Sequence, residues 1–123
     1  MKKKVLIIED ETDIREAIAE AVEGIDYEVQ TAENGQVGLA AAIDWQPDLI
    51  LLDIVMPIMD GHETLKRLRQ DPWGRNVKVI MLTSMDGAED VANAHEHHLD
   101  DYIIKVHNTL DEIVNKVRLA IHT

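Results

Sequence analysis

The stretch Val5-Leu6-Ile7-Ile8-Glu9-Asp10-Glu11-Thr12-Asp13-Ile14-Arg15-Glu16-Ala17-Ile18-Ala19-Glu20-Ala21-Val22-Glu23-Gly24 changes its hydrophobic period once, at the acidic residues after Ile8. Val5–Ile8 is continuously apolar, the pattern of a parallel strand covered on both faces. Beyond the acids the period becomes helical. Ile14, Ala17, Ile18, Ala21, Val22 and Ile25 fall on one side, and Asp13, Arg15, Glu16, Glu20 and Glu23 mostly on the other. Gly24 suits the helix's C-terminal stop.

The same unit recurs along the chain. Further strand patterns are Tyr27–Thr31, Leu49–Leu52, Val77–Leu82 and Tyr102–Ile104. Asn34 caps a small-residue helix, Gly35–Ile43. Asp60 and Glu63 offer a cap to a third helix with Leu65 and Leu68 inward, and the fourth pattern, about Gly87–His97, carries only Ala88, Val91, Ala92 and Leu99. Thr109 and Glu112 have capping-box spacing before a last helix with Leu110, Ile113, Val114, Val117, Ala120 and Ile121 inward. Strands alternating with helices predict one α/β domain over residues 1–123, a doubly wound five-stranded parallel sheet. Right-handed crossovers favour the order 2-1-3-4-5. That order sets a switch point between the first and third strands, where ligands bind beyond the strands' carboxyl ends.

Composition narrows the function. The chain has 123 residues, 24 acidic and 12 basic, for a formal charge of −12. That balance opposes binding nucleic acid or an anionic membrane through a broad surface. An apolar share of 46% is too high for a disordered acidic tail. With no cysteine, disulfides, thiolate metal sites and cysteine nucleophiles are excluded. Runs such as Val5–Ile8 and Leu49–Leu52 are far shorter than the roughly twenty residues of a spanning helix. The basic start Met1-Lys2-Lys3-Lys4 is followed by too short an apolar stretch for a signal peptide, so a soluble cytoplasmic protein is expected.

The chemistry sits at the strand ends. The first strand runs into Glu9-Asp10, the third into Asp53, the fourth into Thr83-Ser84 and the fifth into Lys105. In the expected order three carboxylates converge, and like charges so placed call for a compensating cation. A hard divalent ion with oxygen ligands fits, and Mg²⁺ suits a site with few protein ligands and a phosphate partner. A hydroxyl and an ammonium beside such an ion are the recurring parts of phosphoryl transfer. Acids after a strand are more often caps or solvated loop residues; the conjunction on four strand ends is what makes the signal specific.

Over essentially its full length the chain resembles the receiver domain of bacterial two-component response regulators. The stretches that carry the resemblance are Val5–Glu11, Ala32-Glu33-Asn34-Gly35, Pro47–Asp53, Met56-Pro57-Ile58-Met59-Asp60-Gly61, Val79–Ser84 and Asp101–Lys105. It implies a flavodoxin-like (βα)5 three-layer sandwich with Asp53 as phosphoryl acceptor. Asp10 then ligates Mg²⁺ directly, Glu9 acts mainly through water, and the Val55 carbonyl is a further ligand. Thr83 and Lys105 grip the phosphoryl oxygens, and Tyr102 moves inward as Thr83 turns. The phosphoryl donor is a sensor histidine kinase or phosphotransfer protein, which meets the first helix, including Ile14, and the Val106–Asn108 loop. The switching face is the fourth helical pattern, the fifth strand and the last helix, and it meets an output partner the sequence does not name. The protein is a signal carrier rather than an enzyme, catalysing only its own phosphorylation and slow dephosphorylation. Val55 and Met85 occupy the positions that flank the attacking water in the family. Both are apolar here, which implies a long-lived phosphoryl group.

The chain departs from the family pattern in places. Val106 replaces the usual proline after Lys105, and a trans Lys105–Val106 peptide is expected because cis costs valine about 2.5–4 kcal/mol. His98-Leu99 replaces the usual Gly-Ala. No Lys or Arg lies between Asp86 and Leu99, so one subfamily's charge-paired dimer is not carried over. A monomer or a phosphorylation-dependent homodimer is expected. The chain stops at Thr123, just past the last helix, and no direct nucleic-acid or membrane contact is expected. His95, His97 and His98 read as surface residues, since only positions three apart share a helix face. Lys66, Arg67, Arg69, Arg75 and Lys78 read as a solvated basic region, and Trp45 and Trp73 as loop residues. A haloacid-dehalogenase-like phosphatase would need a second acid where Val55 stands, and a flavodoxin a neutral phosphate loop in place of Glu9-Asp10-Glu11. A degenerate receiver serving only as a binding module is the remaining alternative.

Overall fold

In the computed structural model residues 2–24, 27–83, 101–104 and 109–122 are described, the side chains of Thr83 and 101–104 excepted. The strands are β1 (Lys4–Ile8), β2 (Glu28–Ala32), β3 (Leu49–Asp53), β4 (Lys78–Thr83) and β5 (Asp101–Ile104). All neighbours run parallel, in the order β2-β1-β3-β4-β5, as expected.

Alternation along the central strands builds two cores. Val5, Ile7, Leu49, Leu51, Ile80 and Leu82 face one side, against Ile18 and Val22 of α1 (Thr12–Glu23) and Ile113, Val114 and Val117 of the C-terminal helix (Leu110–Ile121). Leu6, Ile8, Ile50, Leu52, Val79 and Met81 face the other, against Ala42 of α2 (Gly35–Trp45) and Leu65 and Leu68 of α3 (Gly61–Gln70). These twelve strand side chains are at most 1% exposed. Burying each contributes about 1.5–3 kcal/mol, so the sheet centre is the rigid part of the molecule.

The helix starts follow the sequence. Asn34 Oδ1 accepts from Val37 N at 2.9 Å, and Asp60 Oδ1 from Glu63 N at 2.9 Å. Thr109 and Glu112 form the full reciprocal box. Glu63 also pairs with Arg67 one turn on; the guanidinium holds its carboxyl below the ordinary value, but the pair is exposed and contributes little to stability.

Several expectations are corrected. Gly24 does end α1 as expected, though in a right-handed conformation, φ −62°, so no left-handed turn demands glycine there. Trp45 closes α2 instead of lying in a loop; it packs on the core and carries the Lys4 ammonium over its ring. Trp73 does lie in a loop, but it too packs on the core. Leu110 is 43% exposed rather than inward, in the exposed first turn of its helix. Arg69 is not simply solvated: it donates to Gly74 O and Val77 O and ties down the loop before β4. Lys78 likewise donates to Ala120 O on the C-terminal helix. Ile25, the helical pattern at Gly87–His97, the three neighbouring histidines, Met85 and Val106 lie outside the described residues. Among the described residues no helix is long and apolar enough to cross a membrane.

Candidate functional site

Strand register brings the candidate residues to one rim. Ile8 pairs with Leu52, so Glu9 and Asp53 follow side by side. Asp53 pairs with Leu82, and Thr83 with Ile104, so Thr83 continues the rim beside the end of β5. The backbone amide of Glu9 donates to Ala32 O at 3.0 Å, which locks the end of β1 to β2.

Carboxylate oxygens of Glu9, Asp10 and Asp53 all lie within 4.8 Å of one another. Glu9 is fully buried and Asp53 is 4% exposed, while Asp10 is half-buried at the mouth. Carboxylates are costly to bury without compensating charge. Three hard oxygen donors converging from two strand ends fit Mg²⁺ and offer nothing to a soft metal. Asp53 Oδ1 accepts from Ile54 N at 2.9 Å, a bond that orients the carboxylate. Of the other expected residues, Val55 follows in the turn between β3 and α3, 70% exposed. Thr83 ends β4, and Tyr102 lies on β5 opposite Met81. Lys105 lies outside the described residues.

Two features of this rim had no signal in hydrophobic pattern. The first is Gly61, the opening residue of α3. Its amide donates to Ile54 O at 2.7 Å, and a Cβ there would stand 2.2 Å from Asp53 O. The helix is seated directly on the backbone of Asp53; the sequence showed only a capped start. The second is Ile58, at φ 71° and 75% exposed. A β-branched residue in the left-handed region is an outlier, since its Cβ crowds the carbonyl at a cost of about 1–2 kcal/mol. Asparagine tolerates that conformation. Ile58→Asn is therefore expected to stabilise the fold by about 1 kcal/mol, read as a higher urea midpoint at unchanged slope. A lower midpoint would show that Ile58 makes contacts worth more than its strain.

Comparison with known proteins agrees with this geometry. Residues 5–118 match the family described as the response regulator receiver domain. The chain is 35% identical over 115 residues to the DNA-binding dual master transcriptional regulator RpaA of Synechocystis, covering 94% of this chain and 47% of that protein. It is 42% identical over 103 residues to the phosphate regulon transcriptional regulatory protein PhoB of Pseudomonas aeruginosa, covering 84% and 45%. It thus spans less than half the length of these two relatives. Among solved structures, a putative response regulator from Chloroflexus aurantiacus superposes with a TM-score of 0.92 at 26% identity over the whole of both chains. The Vibrio cholerae chemotaxis protein CheY4 superposes with a TM-score of 0.91 at 25% identity, covering 98% of this chain and 99% of that one. With the sheet order, the acidic rim and the sequence match in agreement, the chain belongs to the response regulator receiver domains of two-component signalling.

Proposed function

We propose that the chain acts as one receiver domain whose Asp53 accepts a phosphoryl group from the phosphohistidine of a sensor kinase or phosphotransfer protein. The observation that carries this reading is the buried carboxylate cluster of Glu9, Asp10 and Asp53 at the switch point. Glu9, Asp10, Asp53 and the Val55 carbonyl are the residues that would hold Mg²⁺. Bound there, the ion offsets charge on the carboxylates and on the transferring group. Asp53 supplies the nucleophile: a carboxylate oxygen forms a bond to phosphorus as the bond to the imidazole nitrogen breaks, and the imidazole leaves with the electron pair. Thr83 and Lys105 serve as donors to the phosphoryl oxygens. The acyl phosphate then shifts a two-state equilibrium, with Thr83 and Tyr102 as the moving pair and the face around β5 and the C-terminal helix as the reader's surface. The domain is a cytoplasmic signal carrier on this reading, with catalysis confined to its own phosphoryl group.

The test is intact mass after incubation with acetyl phosphate. One phosphoryl group should be gained with Mg²⁺ and none with a chelator. Labelling that ignores the chelator would overturn the metal's part.

The lifetime of that group is a separate expectation. With Val55 and Met85 apolar, neither side chain can hydrogen-bond an attacking water into line. Val55→Asn combined with Met85→Glu should speed loss of the phosphoryl group about tenfold, equivalent to roughly 1.4 kcal/mol of barrier. Equal decay of parent and variant would refute this account.

A further inference from the structure

Helix α1 begins without the device that the other three described helices use. Its N-cap position, Glu11, makes no side-chain capping bond, whereas Asn34, Asp60 and Thr109 each cap their own helix. Yet the loop between β1 and α1 carries two of the three clustered carboxylates and has to be held still. What holds it comes from within the helix. Arg15 turns its guanidinium back over the loop: Nη1 donates to Glu9 O at 2.8 Å and reaches Asp10 O at 3.4 Å, while Nη2 reaches Thr12 Oγ1 at 3.4 Å. Its own amide donates to Glu11 O at 2.9 Å, so the stem is anchored where the fork is aimed.

We propose that Arg15 is the positioning residue of the metal loop, setting the backbone of Glu9 and Asp10 so that their carboxylates meet Asp53. The inference rests on the Mg²⁺ reading of that cluster. The planar fork matters because it spans two successive carbonyls and a hydroxyl at once, which a lysine ammonium cannot do in the same geometry. With Glu9 N held by Ala32 O and Glu9 O held by Arg15, both peptide groups flanking the Glu9 Cα are fixed. Rotation about that segment is the freedom that would let the Asp10 carboxylate drift from the cluster.

Electrostatics makes the proposal decidable by sign. Arg15 is a cation near a cation site, so removing its charge should by Coulomb's law alone tighten Mg²⁺ binding. If its role is positional, removal should loosen binding. Residues behind metal ligands typically change affinity by about ten- to a hundredfold when lost. Mg²⁺ alone is the probe, titrated into the unphosphorylated protein and followed by amide NMR shifts of Glu9–Thr12. Arg15→Met keeps the stem and drops the fork; it should weaken Mg²⁺ at least about tenfold. Arg15→Lys keeps the charge and loses the fork; it should fall between parent and Arg15→Met, and it carries the test should Arg15→Met not fold. Urea unfolding without Mg²⁺ accompanies each titration. Variants that fold and bind Mg²⁺ as tightly as the parent, or more tightly, would overturn the proposal and leave Arg15 a helix-start brace. A parent that shows no saturable shift in this loop would instead sink the metal reading, and the proposal with it.

Discussion

Asp53→Asn should abolish phosphoryl labelling altogether, the largest functional effect expected of any single change. The amide has nearly the shape of the carboxylate, and its oxygen can still accept from Ile54 N, so the turn after β3 keeps its bond. What is lost is the charge. A neutral amide is a poor nucleophile toward phosphorus, and the cluster drops from three carboxylates to two, so Mg²⁺ binding should weaken as well. Fewer like charges at one buried point also lessen repulsion, so the urea midpoint without Mg²⁺ should hold or rise. The measurements are intact mass after acetyl phosphate with Mg²⁺, and unfolding with and without the ion. Equal labelling of the variant would mean that another side chain is the acceptor.

Much of the fold is legible in short stretches. Val5–Ile8 and Leu49–Leu52 are too uniformly apolar for anything except central strands, and the structure buries every one of those side chains. The strand ends were less visible, for a definite reason. Lys4, Asp53 and Asp101 belong to the ladder, yet each is charged and lies just outside the apolar run. Backbone pairing runs one residue past the apolar run, and hydrophobic pattern reports burial rather than pairing. Trp45 shows a helix running past its pattern as well. The small-residue pattern Gly35–Ile43 ended before Trp45, which left that residue in a loop. The helix in fact runs to Trp45 and stops at Gln46, which takes the left-handed conformation at φ 52° before the proline.

The site was legible in its charges and not in its supports. Glu9, Asp10 and Asp53 could be placed together because topology rules leave few strand orders and the favoured one sets the ends of the first and third strands side by side. Arg15 gave no such signal. It reads as one more charged residue on the solvent side of α1, and only the path of its side chain shows that it reaches back to Glu9 and Asp10. Gly61 was hidden for a similar reason. A glycine after a capping aspartate is ordinary, and the need for it arises from a distance between two segments that no local pattern encodes.

Gly61→Ala tests that distance and is expected to have the largest effect on stability. The added Cβ would lie 2.2 Å from Asp53 O and 2.8 Å from Ile54 Cα. Both are backbone atoms, so no side chain can rotate away; α3 or the end of β3 has to shift. Helix propensity pulls the other way, favouring alanine by about 1 kcal/mol. Overpacking against a fixed backbone costs about 1–3 kcal/mol and sometimes more, and β3 is the buried centre of the sheet, so the clash should win. The expected net loss is about 2 kcal/mol of stability. Phosphorylation should slow at least about tenfold as well, because the atom displaced belongs to Asp53, the proposed acceptor. Gly24→Ala is the matched control. Its φ is already right-handed, and the nearest backbone oxygens to the added Cβ are 3.4 and 3.6 Å away. There the reduced entropy of the unfolded chain should leave stability unchanged or raised by up to about 1 kcal/mol, with labelling intact. Both are read by urea unfolding and by labelling rate. If Gly61→Ala unfolds no earlier than Gly24→Ala, the seat of α3 on Asp53 is softer than its geometry indicates, and Asp53 is held chiefly by its own strand.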